Sequence, residues 1–187
     1  MIQIIADLYM VLGRHIIPLL VAGFFTSCKN PSDPGKLCTN TDVATQIKVI
    51  NAKGENLLNQ TTSGYYTPGD IRLYYLKDGV KSEVYNPSLT YPRNFLIIDN
   101  GNGDHLIEVF LNEGSTNNEI TTTLLQWRNG DIDTLNALIT REKNGIGCTS
   151  VICSQIYCNG KLKYDISTYQ PVSWGNSLLY RLITITK

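Results

Sequence analysis

Three dipeptides set the frame of this chain: Asp78-Gly79, Asn129-Gly130 and Asn159-Gly160 each stand between two strand-like runs. A two-residue loop that folds one strand back on the next needs positive φ at both central residues, which Asn, Asp and Gly tolerate best. Each dipeptide therefore predicts a tight hairpin, and a chain built on hairpins is committed to antiparallel sheet.

In DIRLYYLKDGVKSEVYN a turn at Asp78-Gly79 sets Lys77 opposite Val80 and Leu73 opposite Val84. One face then carries Ile71, Leu73, Tyr75, Val80 and Val84, and the other Arg72, Tyr74, Lys81, Glu83 and Tyr85. The first is expected to be core and the second solvent-facing. The same register applied to ITTTLLQWRNGDIDTLNALI sets Arg128 opposite Asp131, Trp127 opposite Ile132 and Leu124 opposite Leu135. FLIIDNGNGDHLIEVFLN predicts a hairpin with a longer glycine-rich turn, and SQIYCNGKLKYDI another tight one. With TQIKVIN and LLYRLITITK the count reaches about ten strands, and no amphipathic helix follows the leader. The expected fold is all-β, a single antiparallel β-sandwich or partly open barrel. Pro68-Gly69, Pro87 and Pro92 fall between strands and mark loops, not a domain boundary.

The N-terminal region reads differently. GRHIIPLLVAGFFTSC has Arg14 and His15 as a basic start, an apolar run from Ile16 to Ser27, then Cys28. That run would rise about 18 Å as a helix, short of a bilayer core of about 30 Å. Met10 gives a leader of conventional proportions and is the expected start codon, since Asp7 otherwise precedes the positive charge. FTSC resembles a bacterial lipobox, with Phe25 where Leu is usual, and SCKNPSDPG resembles the flexible tether that follows one. The resemblance implies cleavage before Cys28 and acylation of its thiol, each buried CH₂ of the lipid adding about 0.8 kcal/mol of membrane affinity. Lys29 beside it implies, by the same analogy, the outer membrane. The expected organisation is a signal peptide over 1–27, a tether over 28–44 and the β-domain over 45–187.

Sixteen basic and sixteen acidic residues cancel, so the chain lacks the charge excess that captures nucleic acid. After Cys28, four cysteines remain: Cys38, Cys148, Cys153 and Cys158. An even number in an exported domain predicts two disulfides with three connectivities open. Cys153 and Cys158 are five apart, so on one continuous strand they would face opposite sides. A bond from Cys38 would pin the tether to the domain.

The chemistry is sparse. His105 is the one imidazole beyond the leader, and there is no G-x-S-x-G, H-E-x-x-H, phosphate-binding loop or G-x-G-x-x-G. Asp131 and Asp133 share a strand face and form the one carboxylate pair worth weighing for glycoside hydrolysis, but Asp131 is expected to pair with Arg128 and Asp133 to face Gln126. Asp99, Asn100, Asn102 and Asp104 cluster the oxygen ligands calcium prefers, without the spacing of an EF-hand loop. Arg72, Tyr74 and Tyr85 form an aromatic face suited to sugar rings or partner side chains. Trp127 and Trp174 are expected in the core or at its rim. No catalytic set, resident metal or cofactor is expected.

GENLLNQ, YYTPGDIRLYYLKDG, TTTLLQWRNGDIDTL and IYCNGKLKYD together resemble a group of small lipoproteins from the Bacteroidota. The resemblance runs from about Thr45 to Asp165 and implies fold and cellular address. The expected function is that of a lipid-anchored envelope protein, a non-catalytic binding or assembly module with a glycan or envelope-protein partner. A structural subunit of an envelope complex and a carbohydrate-active enzyme are the alternatives.

Overall fold

The computed structural model describes residues 38–143 and 147–187. The expected leader, Cys28 and most of the expected tether lie outside them. Thirteen strands and no α-helix occur among the described residues. β1 (Thr39–Asp42), β3 (Arg72–Lys77), β4 (Val80–Glu83), β7 (Glu119–Gln126), β8 (Ile132–Lys143), β9 (Thr149–Cys158) and β10 (Lys161–Asp165) form one sheet in the order β1-β9-β8-β7-β3-β4, with β10 also on β9. β2 (Ala44–Ile50), β5 (Phe95–Asp99), β6 (His105–Phe110) and β13 (Leu182–Thr186) form a second in the order β13-β2-β6-β5. β11 (Val172–Trp174) and β12 (Ser177–Leu179) pair as a small third sheet.

The chain is all-β as expected, but it is not purely antiparallel. β1 runs parallel to β9 and β13 parallel to β2. Both pairings join segments far apart in sequence, which no hairpin signal can announce. β1 also moves the start of the folded body forward, since Thr39–Asp42 belong to the sheet and not to a tether.

The two larger sheets share one buried cluster. Ile47, Val49, Ile107, Val109, Ile183 and Ile185 enter it from the four-stranded sheet, and Leu73, Leu125, Leu135, Ala137, Ile139 and Ile156 from the seven-stranded one. Alternation explains which residues these are: β2 reads half-buried and buried in strict turn, and so does most of β8.

The Asp78-Gly79 hairpin forms as the sequence predicts, with φ of 50° and 77° at the two residues and Lys77 opposite Val80. Val80, expected in the core, is 62% exposed, because it lies at the hairpin tip on β4, an edge strand whose four residues are all exposed. Asn159-Gly160 likewise turns β9 into β10, with φ of 49° and 77°.

The Asn129-Gly130 turn departs from expectation. Residues Arg128–Gly130 make a 3₁₀ turn closed by Trp127 N–H donating to Asp131 O at 2.8 Å. Gln126 then faces Ile132 and Thr123 faces Leu135, one residue away from the two-residue register. Arg128 is drawn out of the hairpin altogether. Its guanidinium donates to Tyr65 O at 2.7 Å and meets Asp70 at 2.9 Å.

One disulfide forms, Cys38–Cys148, with its Cα atoms 4.6 Å apart. The expected second bond does not form: Cys153 and Cys158 are free thiols, both in the core. A bulge explains why they point the same way. Leu138 faces Gln155 but Ile139 faces Cys153, so Ser154 is an extra residue on β9. It reverses the alternation, and Val151, Cys153, Ile156 and Cys158 are all buried. Burial pushes the Cys153 thiol up to about 12 and the Cys158 thiol to about 11, so neither is a thiolate at neutral pH.

Asp42, at the end of β1, meets the Arg181 guanidinium at 2.9 Å and 3.1 Å. That contact holds its carboxyl below the ordinary Asp value. Asp104 is held low as well: burial pushes it up, but Lys48, Asn56 and Trp174 outweigh that by bonding to the ionised form. Carboxyls depressed in the folded state stabilise it at every pH above their unfolded value, about 3.9, and that stabilisation is lost as pH falls through the folded value. The urea midpoint is expected to stay flat from neutrality to about pH 5 and to fall below about pH 4. Asp42→Asn should flatten part of that fall, and an unchanged acid profile in the variant would contradict this account.

Candidate functional site

Between Val84 and β5 the chain makes a loop that contains Pro87 and Pro92 and is tied by its own backbone. Asn86 N–H donates to Pro92 O at 2.7 Å and Asn94 N–H to Tyr91 O at 2.9 Å. Asn94, at φ 51°, then accepts from Phe110 N–H at 3.0 Å, which ties the loop to the end of β6. Leu89 and Tyr91 are exposed large apolar residues of this loop, at 49% and 42%.

Tyr91 stacks on Phe110, with ring centroids 6.3 Å apart and planes at 21°. Together they wall a cleft of about 490 Å³ whose lining includes Tyr75, Leu89 and Val43. Lys77 and Glu113 bring opposite charges to its lining. Across Thr90 and Tyr91 lies a second hollow of about 450 Å³, lined in part by Tyr85, Arg93 and Phe95. Each is the size of an ordinary small-ligand site, about 300–1,000 Å³.

The cleft is preorganised. Tyr75 OH donates to Phe110 O at 2.9 Å and accepts from Asn94 Nδ2 at 3.1 Å. Burial raises the phenol above its ordinary value, so Tyr75 is neutral throughout the physiological range. Asn112 is fixed from three directions: its N–H donates to Thr123 Oγ1, its Nδ2 to Leu76 O, and its carbonyl accepts from Thr121 Oγ1. These bonds explain the buried threonines of β7.

Of the aromatic face expected from sequence, only Tyr85 reaches this region, with the Arg93 guanidinium 6.0 Å from its ring centre. Tyr74 lies under Lys81, whose Nζ is 3.9 Å from the ring centre, and Arg72 is spent on Gly69 O and Glu83. Those two support the β3-β4 hairpin and not the cleft. Tyr75, Tyr91 and Phe110 were missed. Tyr75 counts as core by alternation, and only the loop lying against β6 turns that face into a cleft wall.

In the glycine-rich turn the side-chain oxygens of Asp99, Asn100 and Asp104 are engaged within the protein. Asp99 Oδ1 accepts from Gly101 N–H and Asn100 Oδ1 from Asn102 N–H, each at 3.0 Å. Asp104 serves Lys48, Asn56 and Trp174. His105 Nδ1 sits 3.0 Å from Gly103 O and its Nε2 3.8 Å from Asp99. Among the described residues no three His, Cys, Asp or Glu side chains form a group able to hold a metal ion.

Asp131 and Asp133 are not arranged as the sequence reading has them. Asp131 pairs with Lys187 and not with Arg128, and Asp133 is buried opposite Leu125 and not beside Gln126. The one-residue register shift at the turn accounts for both.

No protein-family profile, characterised protein or solved structure matches this chain.

Proposed function

We propose that this chain is a lipid-anchored β-sandwich of the bacterial envelope that binds a glycan in the Tyr91 cleft and does not transform it. The observation that carries the reading is the cleft itself: three aromatic rings meet in a rigid hollow without His105 or the Asp131 and Asp133 carboxylates in its lining. Aromatic faces take the C–H faces of sugar rings, and flanking amide and charged groups take the hydroxyls. The Cys38–Cys148 bond fits an oxidising compartment, in keeping with export on a lipidated Cys28 and the likeness to Bacteroidota lipoproteins.

Assembly through a free sheet edge is the weaker reading. The β4 edge carries Lys81 and Glu83, and charged edge strands oppose edge-to-edge pairing.

Tyr91→Ala is expected to weaken binding in a screen of neutral and acidic oligosaccharides by about tenfold or more, the loss of roughly 1.4 kcal/mol or above. Tyr74→Ala, on the opposite face of β3 from Tyr75, should leave it unchanged. Equal loss in both, or no oligosaccharide bound by the parent chain, would overturn the cleft assignment. Protease treatment of intact and lysed cells, with a Cys28→Ala control, reads the anchor and the face of the membrane on which the domain lies.

A further inference from the structure

Away from the cleft, at the end of β13, Lys187 Nζ lies 2.6 Å from Asp133 Oδ2 and 2.9 Å from Asp131 Oδ2. Little water reaches Lys187 and Asp133, whose side chains are 13% and 5% exposed, while Asp131 at 46% faces solvent. Trp127, fully buried, lies alongside, its ring centre 5.5 Å from Nζ. Asp133 also receives two neutral donors: Trp127 Nε1 on Oδ2 and Asn159 Nδ2 on Oδ1, both at 2.7 Å. Lys187 is placed by its backbone, whose N–H donates to Ile50 O at 2.8 Å.

We propose that Lys187 and Asp133 condense into an intramolecular amide, a covalent bond between the two large sheets. The C–N bond forms between Nζ and Asp133 Cγ, and the Cγ–Oδ2 bond breaks. An ammonium and a carboxylate become an amide and water: two of the three ammonium protons leave with Oδ2, the third stays on the amide nitrogen, and the two charges cancel. No oxidant or further reactant is needed.

Each neighbour has a role. Asp131, in contact with Nζ, takes the first proton and delivers it toward the leaving oxygen. Asn159 and Trp127 withdraw density from Cγ and hold the negative charge that develops on the carboxyl oxygens as Nζ attacks. The fixed approach removes the entropy cost of bringing amine and acid together. Burial pulls the Lys187 ammonium down, but Asp133 and Asp131 outweigh it and keep its pKa above the ordinary value. The free amine is therefore scarce, and the reaction is a slow, single event in the life of each molecule. The bond contains no sulfur and survives reduction of Cys38–Cys148. It stands apart from the cleft, so the glycan reading can fail without it.

Peptide mass analysis of the full-length chain, reduced, alkylated and cut with trypsin, provides the test. The expected species joins the peptide 129–141 to the peptide that begins at Leu182, lighter than the two together by one water. Lys187→Arg keeps the charge but should abolish it. Asp131→Asn should form it about a hundredfold more slowly, the usual worth of a positioned acid–base group. Two separate peptides at full mass, from parent protein shown by near-ultraviolet circular dichroism to be folded and aged for days, would overturn the proposal. So would a loss of water confined to 129–141, or a joined species that persists in Lys187→Arg.

Discussion

Serine at both Cys38 and Cys148 is expected to lower the unfolding free energy by about 4.7 kcal/mol, the chain-entropy value for a closed loop of about a hundred residues. The bond spans 110 positions, the larger part of the folded body, so few other constraints restrict the unfolded chain as much. In the native state the loss should be local. All four residues of β1 are exposed, and the strand meets β9 through a parallel pairing of Thr39–Asp42 with Thr149–Ile152. Cys38 fastens its beginning, and the Asp42 contact with Arg181 fastens its end. Thr41 and Val43 line the Tyr91 cleft, so fraying of β1 reaches the site as well as the edge of the sheet. The measurements are the urea midpoint and amide exchange along β9, where protection at Thr149–Ile152 should fall while that at Ile156 persists. A change below about 1 kcal/mol would mean that Asp42 and Arg181 hold the strand without help, more than a pair with one partner 61% exposed ordinarily supplies.

How much of this was legible in the sequence depends on how local the deciding forces are. Asp78-Gly79 and Asn159-Gly160 meet their turn requirement with their own backbone conformations, and the registers of both hairpins follow from them. Asn129-Gly130 offers the same dipeptide, yet Arg128 is pulled toward Asp70 and Tyr65, more than fifty residues upstream. That tertiary attraction wins over the local preference and shifts every pair on β7 and β8 by one. The bulge at Ser154 is equally silent, because alternation is the only signal a strand has and a bulge is a break in alternation. The cleft is harder still. Its walls come from β3, the end of β6 and a loop, and only Tyr85 among the expected ligand residues stands near it. Pro87 and Pro92 mark the loop in the sequence, but the one trace of the cleft is Tyr91, an aromatic residue held between them where nothing asks for a core residue.

Trp127→Ala is expected to produce the largest loss of any single substitution, about 3–5 kcal/mol for removal of a fully buried indole. Trp127 has no exposed surface, and Tyr66 stacks on it with centroids 5.0 Å apart. The indole also joins regions that meet nowhere else in the same way. Through Tyr66 it touches the segment that receives Arg128, and through Nε1 it reaches Asp133 and so the Lys187 contact. Two parts of its contribution can be separated. Trp127→Phe retains most of the ring contact but strips the N–H donor from the buried Asp133 side chain, which should cost about 1–3 kcal/mol. If packing dominates, Phe will recover most of the stability lost with Ala. If Phe is as damaging as Ala, the hydrogen bond to Asp133 governs this end of the molecule, and the shape of the indole matters less than the polar group it helps to bury. Urea denaturation of the parent and both variants, followed by far-ultraviolet circular dichroism, distinguishes the two cases. The first is expected, since the ring is packed on all sides while Asp133 retains Asn159 and Lys187 when the indole N–H is gone.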